Sequence, residues 1–249
     1  MRLRPFVAAL FFLAGPASVA AADLVVSAAS SLTDAFQAVG KAYERRHPGT
    51  HVVLNFAASD VLLRQISSGA PADVFASADQ SAMDKAVTAG AIDPATRQDF
   101  ASNRLVLVVP KDGRVHVTGP TDLKDPAVTR VAYGDPASVP VGRYTKAALE
   151  RQGLWDVISA KGVLAQNVRQ GLDYVARGEV DAGFVFATDA AIMGDRVVVA
   201  AVVPTPTPIT YPIAVVAGSK QAREAARFEA FVQSADGRAI LAGFGFLAP

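Results

Sequence analysis

The chain predicts an α/β protein of two lobes, with mixed, mainly parallel sheets and a ligand cleft between the lobes. Three observations carry this. Short β-rich runs alternate with stretches of helical period along the 249 residues, the pattern of strands covered by helices. Two such series are joined through Leu105 to Val109, a continuous apolar run of the kind buried on both faces of a sheet. The tail from Tyr211 holds one strand and one helix, too little for a core of its own, so it returns to complete the first lobe. The expected division is 23–103 with 212–249 as lobe I and 104–211 as lobe II, behind a leader at 1–22.

The elements follow in order. Leu24 to Val26 reads as a strand, and Leu32, Ala35, Phe36, Val39 and Tyr43 then recur at helical spacing until Pro48 and Gly49 stop the helix. Val52 to Phe56 is a strand, Leu62 and Ile66 mark a helix ending at Gly69, and Asp73 to Ala76 is a third strand. A helix runs from about Ser81 to Thr88, with Gly90 beyond it. After the apolar run the rhythm repeats: a strand at Arg130 to Tyr133, a turn at Gly134-Asp135-Pro136, and a helix over Gly142 to Arg151. Asn167 caps a helix whose apolar stripe is Val168, Leu172, Val175 and Ala176. Strands follow at Ala182 to Phe186, Val197 to Val203 and Ile213 to Val216. Pro204, Pro206 and Pro208 stiffen a surface connection. Ala225, Phe228, Phe231 and Val232 mark the last helix.

The first residues read as an export signal rather than as part of the fold. Arg2 and Arg4 precede an apolar stretch from Phe6 to Leu13, and Ala20-Ala21-Ala22 is a small-residue cleavage site. That stretch is too short to span a bilayer. Cleavage near Ala22 takes the basic count from 24 to 22 against 23 acids, so the exported chain is close to neutral and lacks the basic footprint of a nucleic-acid binder. There is no Cys, which excludes disulfides and a lipidated cysteine and leaves stability to packing.

Two serine-bearing turns carry the candidate site: Ser27-Ala28-Ala29-Ser30-Ser31-Leu32 and Phe56-Ala57-Ala58-Ser59-Asp60, each followed by a helix. A helix start presents free backbone N–H groups and partial positive charge. Two such turns face to face would hold an anion without Lys or Arg. Ser31 and Ser59 read equally as plain N-caps, and Ser31 with Asp34 resembles a capping box. The small neighbours Ala28, Ala29, Ala57 and Ala58 favour the first reading, because they let a ligand approach the backbone. A second set, Gly134-Asp135-Pro136 with Val139-Pro140-Val141-Gly142 and then Asn167-Val168, also ends in helix starts and offers the N–H groups of Val141 and Val168. A loop and an ordinary cap explain it as well.

The segments Ala29-Ser30-Ser31-Leu32-Thr33-Asp34-Ala35, Gly69-Ala70-Pro71-Ala72-Asp73-Val74-Phe75, Gly134-Asp135-Pro136 with Val139-Pro140-Val141-Gly142, and the stretch from Asn167-Val168-Arg169 to Thr188-Asp189-Ala190 closely resemble the periplasmic molybdate-binding proteins of ABC importers. The resemblance spans essentially the whole exported chain. It implies a two-lobe periplasmic binding protein fold of type II that closes on molybdate or tungstate, needs no cofactor, and works as a monomer handing its cargo to a membrane permease. Carried over by position, Ser31 and Ser59 supply hydroxyl and backbone donors, and Val141 and Val168 supply backbone N–H groups. Two positions depart from the pattern: Phe186 stands where a donor Tyr is usual, and Asp60 where a small residue is usual. The expectation is that Asp60 turns outward.

Other groups read as structural. His47, His51 and His116 are scattered rather than spaced as metal ligands. Asp73 is a hydrogen-bonding residue before a strand, and Arg143 is a solvated side chain near the cleft. Ser31 or Ser59 as the nucleophile of a secreted hydrolase lacks a Gly-x-Ser-x-Gly elbow and an evident His partner. A receptor for sulfate or phosphate is the rival nearest the leading reading.

Overall fold

The computed structural model describes residues 22–249, so the proposed leader lies outside the described residues. Two five-stranded sheets form the framework. The first contains β1 (Ala22–Ala29), β2 (Thr50–Ala57), β3 (Val74–Ala76), β4 (Gln98–Asn103) and β10 (Ile209–Val215), in the order β2-β1-β3-β10-β4. The second contains β5 (Leu105–Pro110), β6 (Val131–Gly134), β7 (Gly162–Ala165), β8 (Ala182–Phe186) and β9 (Val197–Val203), in the order β7-β6-β8-β5-β9. Helices α1 (Thr33–Arg46), α2 (Ser59–Ser67), α3 (Gln80–Thr88), α8 (Ala222–Val232) and α9 (Ala235–Gly243) go with the first sheet. Helices α4 (Pro140–Arg151), α5 (Trp155–Ser159), α6 (Val168–Ala176) and α7 (Ala187–Ile192) go with the second.

The sheets are built alike. In each, two neighbouring pairs are parallel (β1 with β2 and β3; β6 with β7 and β8) and two are antiparallel (β10 with β3 and β4; β5 with β8 and β9). Parallel pairing therefore does not predominate. The antiparallel strands lie where the chain passes between the sheets: β4 leads directly into β5, and the proline-rich segment after β9 leads back into β10. In both halves the parallel strands run toward the interface, so the loops that follow β1, β2, β6 and the cap before α6 converge there.

The core follows the sequence pattern. Phe36, Val39 and Tyr43 on α1 pack against Phe100, Phe228 and Phe231, with tilted or edge-on aromatic contacts at 5.2 to 6.1 Å. The Leu105-to-Val108 run is buried on both faces. Asp73 has the structural role read from sequence, accepting from the Val25 N–H at 2.8 Å and the Ser219 hydroxyl at 2.6 Å. Five elements were not legible: β4, α5, β7, α7 and α9. Gln98–Asn103 is mostly polar and pairs only at a sheet edge. The short β7 likewise sits at an edge with Leu164 exposed, so neither carries a buried alternation.

Candidate functional site

Residues from both halves enclose one small cavity, lined by Ser31, Ser59, Ala78, Val141, Val168 and Phe186 together with Ala29, Ser30, Ala58, Val139 and Pro140. All four residues singled out in the sequence, Ser31, Ser59, Val141 and Val168, lie on its wall. Larger surface depressions occur elsewhere, for example around Ala72 and Lys220, but this cavity gathers four helix starts.

Each wall segment has a local reason. Ser59 is the first residue of α2 and Val168 the first of α6; Val141 is the second of α4, behind Pro140. N–H groups at these positions have no partner within their own helices. Proline at the first position of α4 costs nothing, because its N–H would be unpaired there anyway. Ser31 lies in a short 3-10 turn (30–32) leading into α1. The β6–α4 turn is held by the Val139 N–H donating to Asp135 O at 2.8 Å. It is also very tight: a Cβ on Gly142 would stand 1.9 Å from Gly134 O, and one on Gly134 would stand 2.6 Å from a Val139 methyl. Glycine at both positions brings the Val141 N–H to the wall.

The serines are not caps. The 3-10 turn at 30–32, α1 and α2 all lack a side-chain cap bond. Ser59 Oγ, fully buried, accepts the Ala78 N–H at 3.0 Å. Ser31 Oγ lies 3.1 Å from Tyr211 Oη, which in turn receives the Asn103 side-chain amide at 3.2 Å. Asn167, by contrast, is the cap the sequence indicated, its Oδ1 accepting the Gln170 N–H at 3.0 Å. Phe186 packs edge-on against Tyr144 and Tyr211, with ring centroids at 6.3 and 5.9 Å.

Among the described residues, no Lys, Arg, Asp or Glu lines the cavity. The charges stand just outside it, as two clasps across the interface. Arg143 on α4 donates through Nε to Asp79 Oδ2 at 2.7 Å and through Nη2 to Asp60 Oδ2 at 2.6 Å. Lys85 adds a bond to Asp60 Oδ1 at 2.5 Å. Arg169 on α6 lies 2.8 Å from Asp34 Oδ2 across the interface and 2.5 Å from Asp189 Oδ1 on its own side.

These clasps correct two expectations. Arg143 is not a solvated side chain, because two buried carboxylates hold it. Asp60 does not turn out to water; it is 5 % exposed and spent on Arg143 and Lys85. Burial works against the Arg143 charge, but Asp79 and Asp60 outweigh it and hold the guanidinium pKa above its ordinary value. Asp189 is wholly buried, which pushes its carboxyl up to about 6 against the pull of Arg169.

A cavity walled by helix-start N–H groups and serine hydroxyls, and lined by no charged side chain among the described residues, suits a small anion. The model of the bacterial extracellular solute-binding protein family matches residues 24–247. The chain belongs to that family. This solute-binding protein is 39 % identical to the molybdate-binding protein ModA of Escherichia coli over 242 residues, covering 95 % of this chain and 93 % of the relative. It is 34 % identical to ModA of Haemophilus influenzae, covering 92 % and 91 %. Among solved structures it is similar to the periplasmic molybdate-binding protein of Azotobacter vinelandii, with a TM-score of 0.77 and 26 % identity over 91 % of this chain and 99 % of that one. The sulfate-binding protein SubI of Mycobacterium tuberculosis matches with a TM-score of 0.78 at 19 % identity, over 90 % of this chain and 86 % of that one. At that identity the likeness speaks for the two-lobe fold alone.

Sequence reasoning missed Ala78 on the wall, Tyr211 and Asn103 behind it, and the acids that hold Arg143 and Arg169. Each is distant in the chain from the group it serves, Tyr211 by 180 positions from Ser31. No local spacing encodes such a pair.

Proposed function

We propose that this solute-binding protein is the periplasmic receptor of a molybdate ABC importer, binding molybdate, and tungstate equally, through Ser31, Ser59 and the N–H groups of Val141 and Val168. The observation that carries the reading is the cavity walled by four helix starts without a charged side chain, in a chain 39 % identical to a molybdate-binding protein over nearly its full length. The two bodies that close on the ligand are those expected from the sequence, 23–103 with 212–249 and 104–211, except that Ile209 to Tyr211 belong with β10 in the first sheet.

The energetics agree. Nanomolar capture needs about 12 kcal/mol. Hydrogen bonds to a charged group contribute about 1.5–3 kcal/mol each, so six or seven supply it after the costs of closure. Neutral donors also permit release, because opening the lobes returns the dianion to water without breaking an ion pair to it. Tungstate shares the size and charge of molybdate and fits the same ring. Sulfate is smaller, and a ring of donors spaced for the larger ion would leave some of them unsatisfied by it.

The reading makes the protein a receptor with no cofactor, active as a monomer in the periplasm and delivering to a membrane permease. Hydrolysis at either serine is disfavoured by the wall itself: Ser59 Oγ is occupied by a backbone N–H, Ser31 Oγ is paired with a tyrosine, and no histidine lines the cavity. The test is calorimetric titration of purified protein with molybdate, tungstate, sulfate and phosphate. Submicromolar affinity for the first two with weak or absent binding of the others is the expected result. No heat with micromolar molybdate, or tighter binding of sulfate, overturns it.

A further inference from the structure

Behind Ser31 runs a chain of hydrogen bonds whose direction can be worked out group by group. The Arg104 N–H donates to Asn103 Oδ1 at 2.8 Å. That fixes the amide: its oxygen faces the backbone, and its NH₂ faces Tyr211 Oη at 3.2 Å and Thr188 Oγ1 at 2.9 Å. An amide NH₂ only donates, so Tyr211 Oη accepts from it. The phenolic proton is left with one partner, Ser31 Oγ at 3.1 Å. Tyr211 is fully buried, so no bulk water competes for that proton, and burial with the Asp189 charge nearby holds the phenol well above its ordinary pKa. Tyr211 therefore donates and Ser31 accepts.

A serine that accepts from within the protein still has its own proton to give. Had the chain run the other way, Ser31 would spend that proton on Tyr211 and show the cavity lone pairs alone. Ser59 is arranged alike, its oxygen accepting from a backbone N–H.

We propose that Asn103 and Tyr211 are positioning residues that free the Ser31 proton for the anion by dictating the direction of the Asn103–Tyr211–Ser31 hydrogen-bond chain. This deepens the oxyanion reading and rests on it. Asn103 closes β4 in the first half, and Thr188 belongs to α7 in the second. The amide that orients Tyr211 is thus also bonded to the second half.

The test is a set of double-mutant cycles read by molybdate titration, with thermal unfolding of each variant as the folding control. Asn103→Leu removes the donor that fixes Tyr211 and is expected to weaken molybdate binding about 5- to 20-fold. Tyr211→Phe removes the donor to Ser31 and is expected to weaken it about 3- to 10-fold. The decisive readout is non-additivity: in a Ser31→Ala background both losses should shrink to within about twofold, because each acts through the Ser31 proton. A merely structural role would leave the losses as large with Ser31 absent, and that result overturns the proposal. The Tyr211→Phe cycle stands by itself if Asn103→Leu fails to fold. Wild-type protein inert to molybdate would remove the oxyanion reading, and the relay with it. Intact wild-type binding with fully additive variants would remove the relay alone.

Discussion

Arg143 offers the sharpest test of how the two lobes are held together. Arg143→Met keeps most of the side-chain volume and stem but removes the guanidinium that bridges α4 to Asp60 and Asp79 at 2.6 and 2.7 Å. Both acids are nearly buried, with side chains 7 % and 5 % exposed. Breaking a buried pair by removing one partner costs about 3–5 kcal/mol when the orphaned charge stays buried. Here it need not, because separating the lobes returns both carboxylates to water, and Lys85 still neutralises Asp60.

The penalty thus falls on closure rather than on folding, and partial relief brings it to about 1.5–3 kcal/mol. Since about 1.4 kcal/mol is a factor of ten, the apparent Kd for molybdate should rise about 10- to 150-fold, mostly through faster release. Stopped-flow release and calorimetry measure this directly, and small-angle scattering should show a larger radius of gyration at equal ligand. Unfolding of the ligand-free protein should shift little. Unchanged release with a large loss of unliganded stability would refute the assignment of this ion pair to closure.

Three further outcomes follow from the same geometry. Ser59→Ala removes a donor and orphans the Ala78 N–H, so molybdate affinity should fall about 10- to 150-fold, or about 1.5–3 kcal/mol, whereas Val141→Ala, whose side chain is not the donor, should stay within about twofold; calorimetry on the pair checks both. Phe186→Tyr places a hydroxyl at the wall and should strengthen molybdate binding about fivefold, worth about 1 kcal/mol, measured by the same titration. Glu229, buried on α8, has its carboxyl pushed up to about 8 by desolvation and then by Asp93. A carboxyl with a raised folded pKa favours the fold when protonated, so its cost grows as pH rises from about 4.5 through about 8. Glu229→Gln should therefore stabilise the protein by about 1–3 kcal/mol at pH 8–9 and flatten that slope, as followed by denaturant unfolding across pH.

The repeated βα rhythm was legible because its strands are buried and its helices carry one apolar face. Ala182–Phe186, buried throughout, could be bounded to the residue for that reason, whereas Val197–Val203, a half-exposed edge strand, was legible through its run of valines. Edge elements such as β4 and β7 were hidden because exposure on one side removes the apolar signal. At the site, the groups on the wall could be read because helix starts announce themselves through Ser, Pro, Gly and Asn. Their supports could not. Whether a serine caps its helix or faces a ligand is decided by Tyr211 and Ala78, brought near only by the crossing of β10 and by the turn after β3. The same holds for Arg143, which looks like a surface residue until Asp60 and Asp79 arrive from the other half.

The claim beneath all of this is that uncharged dipoles alone replace the hydration of a dianion. A crystal structure of the molybdate complex tests it most directly. The account predicts oxyanion oxygens within hydrogen-bond distance of Ser31 Oγ, Ser59 Oγ and the backbone nitrogens of Val141 and Val168, with Arg143 and Arg169 still on their carboxylates. An arginine or lysine nitrogen in contact with the bound ion, or molybdate seated away from these four residues, would contradict it.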